Sequence, residues 1–410
     1  MSAERNIQKQ IFRDPDFILL NINALLVILG YGIAVYTQLD SVAVMKAIKS
    51  FFLILSSIVL FKDLKLTRNP IPSPTFIYIL IFSFWIFLMS FFSEDVGYSI
   101  SKSLNFLLPF IYLYLALHNL LNKFPALDLL KAFIRSVNLI YSLPVIAFII
   151  SGIGFKEFNI YGYGGKEGQF FVSNQYGWAC AVFIISSIDL WLNTKLHVSY
   201  KIFLVAGILV ALYLSLISGN RASWLSILLA LVVFILRLKN IRTDFKILIS
   251  LIPILAIIWF YQIPESSLQT RLTDTEEQLT TGEARFNTAK LALNKFNENK
   301  TLWLTGAGMF NYERIIHGEG LGDYHNSYLE ILFGGGIILF LLFVNFMIFR
   351  PIYFYITYYS KYFLIIPPFF VIPFLESNLT GGQFLFFPWF IFILIFNIPP
   401  PSNIAENARS

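Results

Sequence analysis

The chain has 410 residues, 57% of them hydrophobic and 18% aromatic, with only 13% charged and a mean hydropathy of +0.69, whereas soluble domains carry about a quarter charged residues. That balance excludes a water-soluble globular enzyme. Since a spanning helix needs roughly 20 apolar residues, it also excludes a single-pass anchor with a soluble domain attached, and the net charge of +6 reads as membrane topology, with no nucleic-acid partner expected.

Apolar runs broken by polar, Gly or Pro residues predict spans at 17–38, 43–61, 75–93, 104–121, 132–152 and 175–193, then at 200–218, 222–238, 246–261, 327–349, 362–375 and 384–397. The expected fold class is an all-α polytopic membrane protein with about 12 transmembrane helices. Residues 1–261 would hold helices one to nine, 262–326 a loop domain, 327–397 the last three helices and 398–410 a tail. The first run is too long for a cleavable leader and lacks a small-residue cleavage site.

Lys and Arg set the orientation. With a cytoplasmic N-terminus, 18 of them fall on the cytoplasmic side and 12 on the other, six of those 12 in one long loop. Long loops weigh little, so the short loops divide 18 to 6. Both termini are therefore expected in the cytoplasm.

Most of the outer polar mass lies between Gln262 and Tyr324. Good helix formers from Glu283 to Asn297 place Phe286, Leu293 and Phe296 near helical spacing. This predicts an amphipathic helix, either resting on the membrane surface or packed on the bundle. A second outer loop, Gly154 to Asn174, is rich in Gly and Tyr and is expected to be structured.

Cys180 is the only cysteine, so no disulfide closes within the chain and no cysteine metal site exists. The four histidines, His118, His197, His317 and His325, are scattered, and no metal or other cofactor is expected. Three groups that the topology puts on the outer face can carry chemistry instead. Arg221 lies in Ser218-Gly219-Asn220-Arg221-Ala222-Ser223-Trp224, a short turn between two apolar runs. A mid-bilayer arginine costs about 2.5–3.5 kcal/mol and an interfacial one less, so Arg221 either snorkels to lipid phosphates or holds an anionic ligand. Arg285 follows Thr281-Gly282-Glu283-Ala284 in the first turn of the predicted loop helix, where a cation opposes the helix dipole and an adjacent anion would relieve it. Arg285, Arg271 and Arg314 also read as exposed loop arginines. His325 stands in Asp323-Tyr324-His325-Asn326-Ser327, where the loop re-enters an apolar run that soon meets Gly334-Gly335-Gly336. Three glycines weaken a helix unless another backbone or a lipid must come close. A histidine there serves either as a structural group or as a proton carrier near neutral pH.

Guanidinium forks match diphosphate oxygens, a neutral imidazole can take a hydroxyl proton, and arginine can neutralise a leaving diphosphate without a divalent ion. That chemistry suits glycosyl transfer from a polyprenyl-diphosphate sugar.

On these residues the chain resembles the O-antigen ligase and polymerase family of bacterial inner-membrane glycosyltransferases. The resemblance runs from about Gly164 to Phe349: the arginine after a small-residue turn (Ser218 to Trp224), Gly282-Glu283-Ala284-Arg285 ahead of a helix, Gly306-Ala307-Gly308-Met309-Phe310-Asn311 before the histidine, and His325-Asn326 with Gly336 after nine intervening residues. Asn174, in Phe171-Val172-Ser173-Asn174-Gln175, resembles the asparagine opening the family's sixth span. Leu339 stands where the family often has Gly, Thr or Tyr.

The resemblance implies a GT-C-type architecture with one large periplasmic loop and an active site on the periplasmic side of the inner membrane. It implies an undecaprenyl-diphosphate-linked glycan as donor and a lipid A-core hydroxyl as acceptor, with His325, Arg221 and Arg285 catalytic. Asn326, Asn174, Arg271, Gly306 and Gly308 would bind substrate. The reaction would be inverting and metal-independent. Three activities remain: an O-antigen ligase, favoured by the dominant loop and the His-Asn pair; a polymerase joining lipid-linked repeat units; and, from a different class, a transporter of lipid-linked sugars, which would bind with the same arginines but make no bond.

Overall fold

The computed structural model describes residues 2–36, 47, 50–51, 54–58, 74–93, 95–150, 173–218, 220–237, 284–308, 326–359, 392 and 394–395. Among the described residues the regular elements are helical: α1 (Ser2–Arg13), α2 (Pro15–Tyr36), α3 (Pro74–Ser90), α4 (Val96–Lys123), α5 (Ala126–Ile150), α6 (Ser173–Asn193), α7 (Val198–Ile217), α8 (Arg221–Arg237), α9 (Ala284–Glu298), α10 (Leu302–Thr305) and α11 (Ser327–Val344). The last continues through a wide π turn (Asn345–Phe349), α12 (Arg350–Phe354) and a second π turn (Tyr355–Tyr359).

Seven expected spans fall on α2 to α8, and the one beginning at 327 falls on α11. The spans expected at 246–261 and 362–375 lie outside the described residues, as do most residues of those at 43–61 and 384–397. Among the described residues, four stretches are long and apolar enough to cross a membrane: Ala126–Ile150, Tyr176–Asn193, Val198–Ser215 and Ser327–Thr357. Apolar side chains also cover the outside of the bundle: Ile18, Ile81, Phe84, Ile202, Leu209 and Leu228 are all exposed. Apolar surface of that extent needs lipid around it. The protein is thus an all-helical membrane protein.

Side-chain pairs give the direction of each helix. Asn23 on α2 donates to Tyr112 on α4, and Lys123 at the far end of α4 meets Asp16 at the start of α2. Ser90 and Ser103 pair α3 with α4, as do Phe82 and Phe110. Asn138 meets Phe183, and Phe148 meets Tyr176, across α5 and α6. Tyr78 stacks on Phe346, and Phe82 on Phe343, between α3 and α11. In every pair the residue numbers run in opposite senses, so these neighbours are antiparallel. The end of α3 and the starts of α4, α6, α8 and α11 therefore share one end of the bundle.

The other end is closed by α1, which the apolar pattern did not predict. Its Ile11 is buried in the core, and Gln8 donates to the Asp128 carbonyl of α5. Beside it, the Lys123 ammonium reaches Asp16 at 2.6 Å and Asp14 at 3.1 Å. Partial burial lowers the Lys123 pKa, but the two carboxylates outweigh it and hold the group above its ordinary value.

Deeper in the bundle, one polar cluster ties three helices together. The Asn138 amide of α5 donates to Ser187 Oγ at 2.8 Å and Ser186 Oγ at 3.0 Å on α6, while its oxygen accepts from the Tyr200 hydroxyl of α7 at 2.9 Å. In an apolar solvent these groups must find partners within the protein. Asn138→Ala leaves Tyr200 without its acceptor and is expected to cost about 1–2 kcal/mol, read as a lower thermal midpoint in detergent with insertion retained.

Candidate functional site

The decisive local feature is a break in α11. Gly336 has φ 71° and ψ −177°, so two helices meet there at a sharp corner. The rings of Tyr328 and Phe343, 15 residues apart, lie 5.7 Å from each other, whereas a straight helix would separate those residues by roughly 22 Å along its axis. The expected span of 327–349 is thus two pieces: a short helix over 327–335 folded across the bundle end, and an apolar piece from Ile337 to Tyr359 that supplies the crossing length.

A break frees carbonyls at the end of the first piece, and three of them are met from elsewhere. Ala307 N–H donates to Phe333 O at 2.8 Å, Gly308 N–H to Gly334 O at 3.1 Å, and the Trp85 indole of α3 to Gly335 O at 3.2 Å. Main chain therefore lies directly on main chain. A Cβ at Gly306 would come within 2.3 Å of Gly334 O, and one at Gly336 within 2.2 Å of Leu304 O. Gly308, at φ 95°, leaves no space before Ser93 in the turn between α3 and α4. Gly306, Gly308 and Gly336 answer one requirement: close approach to another backbone, at positive φ angles that L side chains resist.

The segment 301–308, a strap lying against the broken helix, carries the loop helix with it. Ala292 and Phe296 of α9 are fully buried, and Phe296 packs edge-on against Phe333 at 5.0 Å and Trp303 at 5.5 Å. Leu293, by contrast, is exposed. The side chains of Ala292 and Phe296 thus pack on the broken helix and the strap.

At the head of α11, Asn326 is the N-cap. Its side-chain oxygen accepts from Tyr328 N–H and Leu329 N–H, both at 3.0 Å. A second cluster forms where α6 and α8 begin. Asn220 caps α8 by accepting from Ser223 N–H at 3.0 Å, and Gly177, one turn into α6, packs so tightly on it that a Cβ would meet the Asn220 Cβ at 2.5 Å.

These contacts place the sequence-predicted residues as follows. Arg221 is the first residue of α8, Asn174 the second of α6 and Arg285 the second of α9. The Gly177–Asn220 contact brings the openings of α6 and α8, hence the positions of Asn174 and Arg221, to one corner. Gly306, Gly308 and Asn326 belong to the strap and the broken helix. Both clusters sit at the same end of the antiparallel bundle. His325 and Arg271 lie outside the described residues, although the residue after His325 is fixed as a cap.

Residues 205–344 match the family model described as O-antigen ligase. That stretch is similar to the O-antigen ligases. No curated protein matches it. The matched stretch takes in the Arg221 turn, Arg271, Arg285, Gly306, Gly308, His325 and Asn326, and it ends where α11 ends; only Asn174 lies before it. Sequence reasoning missed Trp85, Ser93 and Gly177, which support the candidate site from outside the matched stretch. It also missed Asn220, although Ser-Gly-Asn before an apolar run is a readable cap signal.

Two substitutions test this architecture. Gly336→Ala forces a side chain into a positive-φ site against Leu304 O and is expected to cost at least about 2 kcal/mol. Asn326→Ala removes only a cap, about 1 kcal/mol. Thermal unfolding of both purified variants should rank Gly336→Ala well below Asn326→Ala.

Proposed function

We propose that this protein is an O-antigen ligase, moving polysaccharide from undecaprenyl diphosphate to a hydroxyl of a lipid A-core oligosaccharide at the periplasmic face of the bacterial inner membrane. The observation that carries the reading is the family match over 205–344, which encloses seven of the eight residues proposed from sequence. Both termini would then be cytoplasmic, and the end holding the strap and the starts of α6, α8 and α11 would face the periplasm. A GT-C-type architecture is part of the same proposal.

In this mechanism the acceptor hydroxyl attacks the anomeric carbon of the donor sugar as the bond from that carbon to the diphosphate oxygen breaks. His325 takes the hydroxyl proton, and undecaprenyl diphosphate departs. Arg221 and Arg285 hold the diphosphate and balance the charge that grows on it, with Arg271 as a further cation. Asn326 and Asn174 orient the reacting sugars. Gly306 and Gly308 would shape the floor of the pocket, a role compatible with the packing they already perform. Attack opposite the leaving group inverts the anomeric configuration and needs no divalent ion. A cation at the first turn of a helix opposes the dipole, so the placements of Arg221 and Arg285 favour an anionic substrate beside them.

Polymerisation of lipid-linked repeat units would use the same groups with a different acceptor, so the test must supply both acceptors. Purified protein incubated with lipid-linked glycan and lipid A-core, without added metal, is expected to yield a glycan-bearing core band. Longer lipid-linked chains instead would make it a polymerase, and no new covalent product would leave transport. His325→Ala is expected to lower turnover by about 10²–10⁴-fold and Arg221→Ala by about 10²–10³-fold, with insertion intact. A fully active His325→Ala protein would remove the proposed role of the imidazole.

A further inference from the structure

The strap and the broken helix contain Gly306, Gly308 and Asn326, three of the residues that the ligase reading uses, yet the third donor to the freed carbonyls comes from a distant part of the chain. We propose that Trp85 is a positioning residue: its indole N–H, donating to the Gly335 carbonyl, clamps α3 to the break in α11 and so fixes the Asn326 head of that helix relative to the strap that follows α9.

Trp85 lies 250 residues from Gly335 in sequence, and the bond between them is 3.2 Å long. It sits on α3 five residues before the end of the helix, and α3 then turns through Ser93, the residue on which Gly308 rests. A single element thus touches the broken helix at Gly335 and the strap at Gly308. The two contacts triangulate the corner: Ala307 and Gly308 hold Phe333 and Gly334 from the strap side, and Trp85 holds Gly335 from the membrane side. Without the indole, Gly335 O loses a donor in a setting where water cannot replace it. The corner at Gly336 then has one fewer restraint on the angle between its two pieces. A small rotation there moves the start of α11, some nine residues away, by ångströms, and misplacement on that scale is costly for a reaction that depends on alignment.

The role belongs to the N–H, which two substitutions can isolate. Trp85→Phe keeps an aromatic ring and removes the donor. Trp85→His removes the benzene half of the ring system but keeps a donor, because imidazole Nε2 stands the same number of bonds from Cβ as indole Nε1. The clamp itself is read by backbone amide exchange over 304–308, which does not require any activity. Its consequence is read by steady-state kinetics of glycan transfer, which rests on the ligase reading.

Trp85→Phe is expected to lower kcat by about tenfold through misalignment of the reacting groups, with KM for the lipid-linked donor nearly unchanged and faster exchange at Ala307 and Gly308. Trp85→His is expected to restore slow exchange and most of kcat. The proposal is overturned if Trp85→Phe leaves exchange and kcat at the wild-type level. It is equally overturned if Trp85→His is as impaired as Trp85→Phe, or if both merely melt at a much lower temperature, since ring bulk is then what matters. Should the wild-type protein transfer no glycan at all, the ligase reading fails while the exchange comparison still decides whether the clamp exists.

Discussion

A helix cannot be cut inside an apolar bundle unless the backbone groups exposed by the cut are satisfied within the protein. The break at Gly336 obeys that constraint, and the arrangement of this end of the bundle follows from it. The carbonyls of Phe333, Gly334 and Gly335 take donors from Ala307, Gly308 and Trp85, so the strap is held to the broken helix by main chain as well as by side chains. Phe296 and Phe333 then close the small apolar cluster that seats α9. Removing the break would free Ala307 and Gly308 from their acceptors, and removing the strap would leave the broken helix unsatisfied. Each requires the other.

The long apolar runs made most helices legible in the sequence, because a bilayer demands about 20 apolar residues in a row and little else resembles that signal. Residues 284–298 were readable as a helix from composition and spacing, but whether it met lipid or protein was not, since Phe296 offers the same face to either. The triple glycine announced a close approach without saying what approached. That information sits 30 residues upstream at Gly306 and Gly308 and 250 upstream at Trp85, and no local pattern connects them. Trp85 is one aromatic residue among many in an apolar span. The helix α1 escaped notice for the opposite reason: it is too polar for a span, and its value lies in one face carrying Ile11.

The two ends of the bundle are built differently. One end is tied by complementary charge, with Lys123 between Asp14 and Asp16, and by a helix laid across it. The other is built from helix starts, glycine contacts and caps. Arg221 and Arg285 stand at the openings of helices, where the dipole favours a negative group, and Asn220 already caps α8 at the Ser223 amide. A cation in that setting gains nothing from its own helix dipole. Under the proposed function the anionic donor would supply the balancing charge.

That consideration bears on how the site would distinguish its substrate from the surrounding phospholipid. A single phosphate headgroup can neutralise one interfacial arginine, which is why a lone Arg221 would say little. Arginines from two helices separated by more than sixty residues are a different matter, because holding both near one anion requires the intervening chain to be fixed. The helix that opens with Arg285 is seated on the broken helix through Phe296 and Phe333, and the strap that follows it rests on Ser93 through Gly308. Under the proposed function, a diphosphate would draw on cations from two elements of such a scaffold, where a monophosphate would need only one.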